Sequence, residues 1–408
     1  MRTLAIQLAV VAMWCVLAAG QAQYKVLYTF GSNNGPSDGA GPDGKLLMDK
    51  AGNLYGTTSG GGLGFGTVFE LSPSPEGAWT ETIIYNFCPQ QGCLDGTFPT
   101  AGLIADQAGN LYGTTSNGGQ NGGVVFELSP PLTPDGTWKE TVLHTFGPKG
   151  KGDGCYPTGK LTFDQSGNLY GTTSACGIGD AGSVFQLTLS DDGIWQENVL
   201  YNFCQGGDFF PCPDGAQPQA GVVFDGSGNL YGTTAAGGSK QFMGAGVVYR
   251  LSPGPKAWTE TVLYNFSTPM NLHGGGPTAE VNFDSAGNMY STVSGGGQFG
   301  FGGVFGLFPS QRKEYTVSFS GALSRPVAGV LIDPRNRNIY STASGSGLDG
   351  GSVFKVVGKK VSILYSFTGG ADGGVPRAGL IADSKGHLYG TTQQGGDFDQ
   401  GVVFEIIP

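Results

Sequence analysis

Five ionisable residues stand out by position: Asp43, Lys45, Lys160, Glu280 and Arg377. Each lies one or three residues after a proline that opens one of seven similar segments: Pro42, Pro99, Pro157, Pro218, Pro277, Pro326 and Pro376. Elsewhere the first position holds Thr100, Thr158, Gln219, Thr278 or Val327, and the second holds Gly102, Gly221, Gly329 or Gly379. Residues one and three places along an extended chain share a side. The five would therefore meet on one surface. Acids beside lysine and arginine there could bind a small anionic or sugar-like ligand, or simply pair with one another in a solvated channel. They could also serve a lyase or hydrolase, with Glu280 as acid or base and Lys160 or Arg377 stabilising an anion.

Other catalytic constellations are missing from the sequence. His144, His273 and His387 fall in three different contexts, and no serine or cysteine sits in a nucleophile elbow. Glycine-rich runs at residues 59–66 (SGGGLGFG) and 294–303 (SGGGQFGFGG) imitate phosphate cradles. A dinucleotide loop needs a helix N-terminus behind it, and here strands flank every copy. Asp180, Asp349, Asp397 and Asp399 recur too irregularly in these runs for a calcium-binding repeat. Neither a cofactor nor a metal is expected.

The elements that must position these residues come from a repeat. The phrase GNLYGTT recurs with its asparagine position at Asn53, Asn110, Asn168, Asn229, Asn288, Asn338 and His387. The intervals, between 49 and 61 residues, are those of a propeller blade. Each copy holds four strand-like pieces. Strand a runs from the proline to an aspartate seven residues on, such as Asp106 or Asp164. Strand b is the LYGTT piece, strand c resembles GTVFEL, and strand d resembles WTETVLYNF. Between a and b, the aspartate should cap a turn whose glycine supplies positive φ; Asn336 fills that slot in the sixth copy. Turn caps, rather than a ring of metal ligands, account for the recurring aspartates.

Glycine makes up 75 of 408 residues, about 18% against a usual share of roughly 7%. That excludes a mostly helical protein, and the absence of a strict three-residue period excludes collagen. The expected fold is all-β: a seven-bladed β-propeller of four-stranded blades. A lone strand d at residues 24–30 precedes the first copy, and the seventh copy stops after strand c. The N-terminal strand should thus close the last blade in a 3+1 arrangement that removes an exposed edge. Tryptophans 79, 138, 195 and 258 are expected on outer blade surfaces, with sugar stacking as a secondary reading.

Residues 1–22 read as a secretory signal peptide: Arg2, an apolar run of about 12 residues, then small residues before Gln23. Residues 23–408 form the single propeller domain, secreted or periplasmic, with no membrane span and no C-terminal anchor. In an exported chain, six remaining cysteines imply disulfides, paired as Cys88–Cys93, Cys155–Cys176 and Cys204–Cys212. All three fall on the face where the d-to-a and b-to-c loops emerge. A net charge of −10 without a basic cluster argues against nucleic acid. A monomer is expected.

The repeated unit resembles the choice-of-anchor tandem-repeat family called GloVer, whose members are exported bacterial repeat proteins. The likeness spans residues 24–408 and carries no catalytic residue with it. A weaker likeness to NHL-type propellers rests on strands a and b; it implies that strand a lines the central channel and strand d lies outside. The function expected is non-catalytic: binding a glycan or an exported protein partner through the glycine-rich loop face. A channel-mouth lyase or hydrolase acting on a polysaccharide or similar anionic substrate is the alternative.

Overall fold

The computed structural model describes residues 22–31, 38–133, 136–147, 152–205, 212–238, 244–266, 275–308, 313–321, 323–345 and 350–408. The signal-peptide assignment, His273 and Asp349 lie outside them, save Ala22 at the leader's edge. Seven antiparallel sheets form a ring of blades. Blade 3 is typical, with strands a to d at Thr162–Phe163, Leu169–Thr173, Ser183–Leu189 and Trp195–Asn202. In blade 7, strand a (Ile381–Ala382), b (Leu388–Thr392) and c (Val402–Ile407) are completed by the N-terminal strand Gln23–Thr29. That strand pairs antiparallel with strand c from Gln23↔Ile407 to Thr29↔Val402. The ring closes as the repeat phase requires. Blade 1 carries one addition, a short segment Gly39–Pro42 paired to its strand b.

Adjacent blades are joined by aromatic pairs. A phenylalanine at the end of strand d meets the strand-c aromatic of the next blade, ring centroids 4.8–5.2 Å apart at all seven interfaces. Phe146 and Phe185 are one such pair, both fully buried. The glycine of LYGTT makes room for the strand-c ring: a Cβ on Gly171 would lie 2.5 Å from Phe185 Cζ. The tryptophans pack partly buried among these interblade clusters, not on the outer blade surface that the sequence indicated. Burying indole between blades removes more apolar area than leaving it on an outer edge.

Two features depart from simple strand alternation. Outside the added segment of blade 1, strand a forms ladder pairs only over the two residues before its aspartate, such as Ile104 and Ala105, because its proline end runs along the crowded axis. There five blades are joined to the next differently, the first threonine of the LYGTT position donating to a strand-a carbonyl of that blade; the equivalent Thr114 and Thr391 hydroxyls make no such bond. Thr172 Oγ1 to Ala220 O, at 2.9 Å, is one example. Strand d carries a bulge in every blade except the fifth. The extra residue, such as Leu200, turns inward and is buried, although strict alternation would expose it.

The a-to-b turns are capped as expected. Asp164 accepts from Ser166 N, Asn168 N, Asn168 Nδ2 and the Tyr170 hydroxyl at 2.7–3.0 Å. The same set recurs at Asp49, Asp106 and Asp225. These bonds hold the Asp164 carboxyl below the usual range against the opposing effect of burial. Asp164→Ala should cost about 1–3 kcal/mol, since it strands several donors at once. Urea unfolding of the variant checks this; an unchanged midpoint would show that the turn needs no cap.

Candidate functional site

The proline ends of the seven strand-a segments converge on the axis and open into a vestibule of about 450 Å3. The first residue after each proline lines it: Asp43, Thr100, Thr158, Gln219, Thr278, Val327 and Arg377. Ser174, Arg325 and Ser344 complete the wall. Below lies a narrower cavity of about 120 Å3, reached by the second and third residues after every proline. All five residues singled out in the sequence border this axial space, but in two tiers. Asp43 and Arg377 stand in the vestibule; Lys45, Lys160 and Glu280 stand beneath it.

The lower tier is a plug. Lys45 Nζ donates to Glu280 Oε1 at 3.3 Å, joining blade 1 to blade 5 across the axis. Burial works against the Glu280 charge, yet Lys45 and Lys160 prevail and hold its carboxyl below the ordinary range. Sterics explain why only three side chains occupy this level. A Cβ on Gly102 would lie 2.7 Å from Lys45 O, and one on Gly221 would lie 2.1 Å from Lys160 O. Beside Glu280, Gly329 would place its Cβ 3.1 Å from the Glu280 Cγ. Each long side chain therefore has a glycine neighbour.

In the upper tier, burial raises the Asp43 carboxyl above its ordinary range while Arg377 pulls it down. Threonine, glutamine and serine supply neutral donors and acceptors around it. Among the titratable groups of both tiers, four are cationic and two anionic, in a chain whose net charge is −10. Arg325, Ser174 and Ser344 escaped the sequence reading. Their signal was present, since Arg325 directly precedes a strand-a proline and both serines directly follow a strand b.

The three disulfides are those inferred from the sequence: Cys88–Cys93, Cys155–Cys176 and Cys204–Cys212. They brace d-to-a and b-to-c loops on the vestibule face. Such bonds persist in oxidising compartments, which places the chain outside the cytoplasm. Among the described residues, the exposed aromatics Phe98, Tyr156, Phe299, Phe301 and Phe398 all lie in loops of this face. His144 and His387 lie away from the cavity, near Asp153 and Glu405 respectively. Among the described residues, no three His, Cys, Asp or Glu side chains are grouped to hold a metal ion. Nor is any helix there long and apolar enough to cross a membrane.

Two solved structures share this architecture at low identity. One is the extracellular domain of a protein described as a one-component system from B. thetaiotaomicron, 11% identical with a TM-score of 0.55. The match covers 93% of this chain, which spans only 39% of the length of that one. The other is a chain of the mitotic checkpoint complex, 12% identical with a TM-score of 0.53, covering 100% of this chain and 99% of that one. These likenesses concern the fold alone. No curated protein sequence matches the chain. The model of the Gloeobacter/Verrucomicrobia repeat matches residues 16–242 and 217–408, and the chain belongs to that family.

Proposed function

We propose that this protein is a non-catalytic extracytoplasmic binding module that takes a sugar-like ligand in its axial vestibule. The observation that carries this reading is the vestibule's lining. A bowl of about 450 Å3 has neutral hydroxyl and amide groups over most of its wall, with two guanidinium groups and one carboxylate. Its size falls within the usual range for small-ligand sites, and its chemistry matches a molecule rich in hydroxyls. The disulfides hold the surrounding loops in place, so little ordering would be lost on binding. Secretion behind the leader at residues 1–22 belongs to the same proposal.

The lower tier weighs against a hydrolase or lyase. A glutamate kept ionised by two lysines is a poor proton donor, and its pairing with Lys45 leaves it a weak base. Saccharide-array binding followed by calorimetry tests the proposal. Arg377→Ala should weaken saccharide binding about tenfold or more while leaving the melting temperature unchanged. A protein that binds no saccharide at all would sink the reading and leave a protein-recruiting scaffold in its place.

A further inference from the structure

The residue before each strand-a proline adopts the same left-handed backbone conformation in all seven blades. The φ values are +62° at Gly41, +58° at Phe98, +58° at Tyr156, +59° at Gln217, +64° at Gly276, +52° at Arg325 and +56° at Val375. This region disfavours every residue with a side chain, β-branched valine above all. Glycine occupies it without penalty in blades 1 and 5. Five blades nevertheless carry a side chain there, and the five are chemically mixed: two aromatics, a glutamine, an arginine and a valine. Such a cost at equivalent positions, with no shared packing role, points to the side chains themselves.

The backbone beneath these side chains is held by a repeated clamp. Phe98 N donates to Phe65 O of the preceding blade at 2.8 Å, while Phe98 O accepts from both Ser116 N and Ser116 Oγ at 3.1 Å. Tyr156 is held alike by Gly122 O and Ser174, and Arg325 by Phe301 O and Ser344. Side-chain identity is thus free to vary on a fixed frame, as a set of ligand-reading positions requires.

The ring has two unlike sides. Phe98 and Tyr156, on adjacent blades 2 and 3, remain 39% and 40% exposed, two residues before the vestibule-lining Thr100 and Thr158. Arg325, on blade 6 opposite, lines the vestibule itself, with Arg377 of blade 7 beside it in the ring. We infer that the pre-proline residues form a rim that selects an acidic saccharide. A sugar ring rests against the aromatic side, and its carboxylate pairs with Arg325. This rests on the vestibule being a saccharide site and adds the ligand's charge and the residues that read it. Aromatic faces accept the C–H surface of a pyranose, and a guanidinium is the side chain best shaped for a carboxylate.

Titration with trigalacturonic acid and with neutral galactotriose separates the two ideas. The variants are Arg325→Gly and the pair Phe98→Gly plus Tyr156→Gly, chosen because glycine removes the side chain and relaxes the backbone. Arg325→Gly should weaken the acidic trisaccharide about tenfold or more and leave the neutral one unaffected. The aromatic pair should weaken both. All these variants should melt at or above the temperature of the unaltered protein, whereas residues kept for structure would lower it. If saccharides bind but the glycine variants bind equally well, or if the acidic one is not preferred, the rim inference fails and the vestibule reading stands. If neither trisaccharide nor any array saccharide binds, both fail together.

Discussion

Removal of residues 22–31 is expected to abolish the cooperative native fold. The strand Gln23–Thr29 supplies the outer edge of blade 7 and brings Leu27, Tyr28 and Phe30 into the interface with blade 1. Phe30 is fully buried against Phe69, their centroids 5.1 Å apart, and Tyr24 stacks on Tyr365 at 3.9 Å. Each buried apolar side chain contributes about 1.5–3 kcal/mol, and each lost ladder hydrogen bond costs about 1 kcal/mol. The total reaches the order of 10 kcal/mol, comparable with the whole net stability of a typical domain, about 5–15 kcal/mol. The strand cannot be spared. Near-ultraviolet circular dichroism and a thermal scan of the shortened chain test this, as does a synthetic peptide of residues 22–31 added in trans. Restoration by the peptide would confirm the closure; a cooperative melt at the original temperature without it would refute it.

Stability should fall as pH rises from about 5 to 8.5, contrary to the trend of most proteins with paired carboxylates. The cause is a row of strand-d glutamates at blade interfaces. Burial, followed by the charge of Asp38, pushes the Glu81 carboxyl up to about 8. Burial followed by Asp95, Asp153 and Asp214 raises Glu140, Glu197 and Glu260 to about 7. One carboxyl oxygen of each glutamate is buried without a hydrogen-bond partner in the protein. The facing aspartates are committed to the d-to-a loops. Asp95 accepts from Cys88 N and the Tyr85 hydroxyl, and Asp214 accepts from Cys204 N and the Tyr201 hydroxyl.

Between the unfolded value of 4.5 and the folded values of about 7–8, the native state holds more protons than the unfolded chain. Unfolding free energy therefore declines with pH across that window and levels off above it. His144, whose imidazole is lowered by burial against the pull of Asp153, opposes the trend only as pH falls below its unfolded value. Allowing for partial solvent access, each glutamate contributes on the order of 1 kcal/mol. The four together should move the melting temperature by roughly 5–10 °C. Replacing all four by glutamine should flatten the profile and raise stability at pH 8. An equally steep profile in that variant would place the proton uptake elsewhere.

The glutamates show where the sequence falls short. Their recurrence in strand d is plain, but strand d reads as an outer strand with a solvated face. Burial arises because the preceding blade packs over that face, which no single repeat can reveal. The strand-d bulge is hidden in the same way. Nothing in VLYNF marks Leu200 as the residue that breaks alternation; the bulge appears only when Val199 and Tyr201 pair with adjacent residues of strand c.

The repeat by itself determined the blade count, the strand order, the closure by residues 23–29 and the disulfide partners. These follow from periodicity and from the few loops a cysteine can reach, and both are local properties of the chain. The aspartate caps were legible for the same reason, since donor and acceptor lie within six residues. Convergence on the axis was decided by the tertiary structure. Strand alternation put Asp43, Lys45, Lys160, Glu280 and Arg377 on one side, but it could not separate vestibule from plug. Seven segments crowd a space too narrow for seven side chains, so the lower level admits three and requires glycine beside each. The left-handed residues before the prolines belong to this second class too. Their conformation is imposed by hydrogen bonds from the preceding blade and from strand b of their own blade, contacts that exist only once the ring has closed.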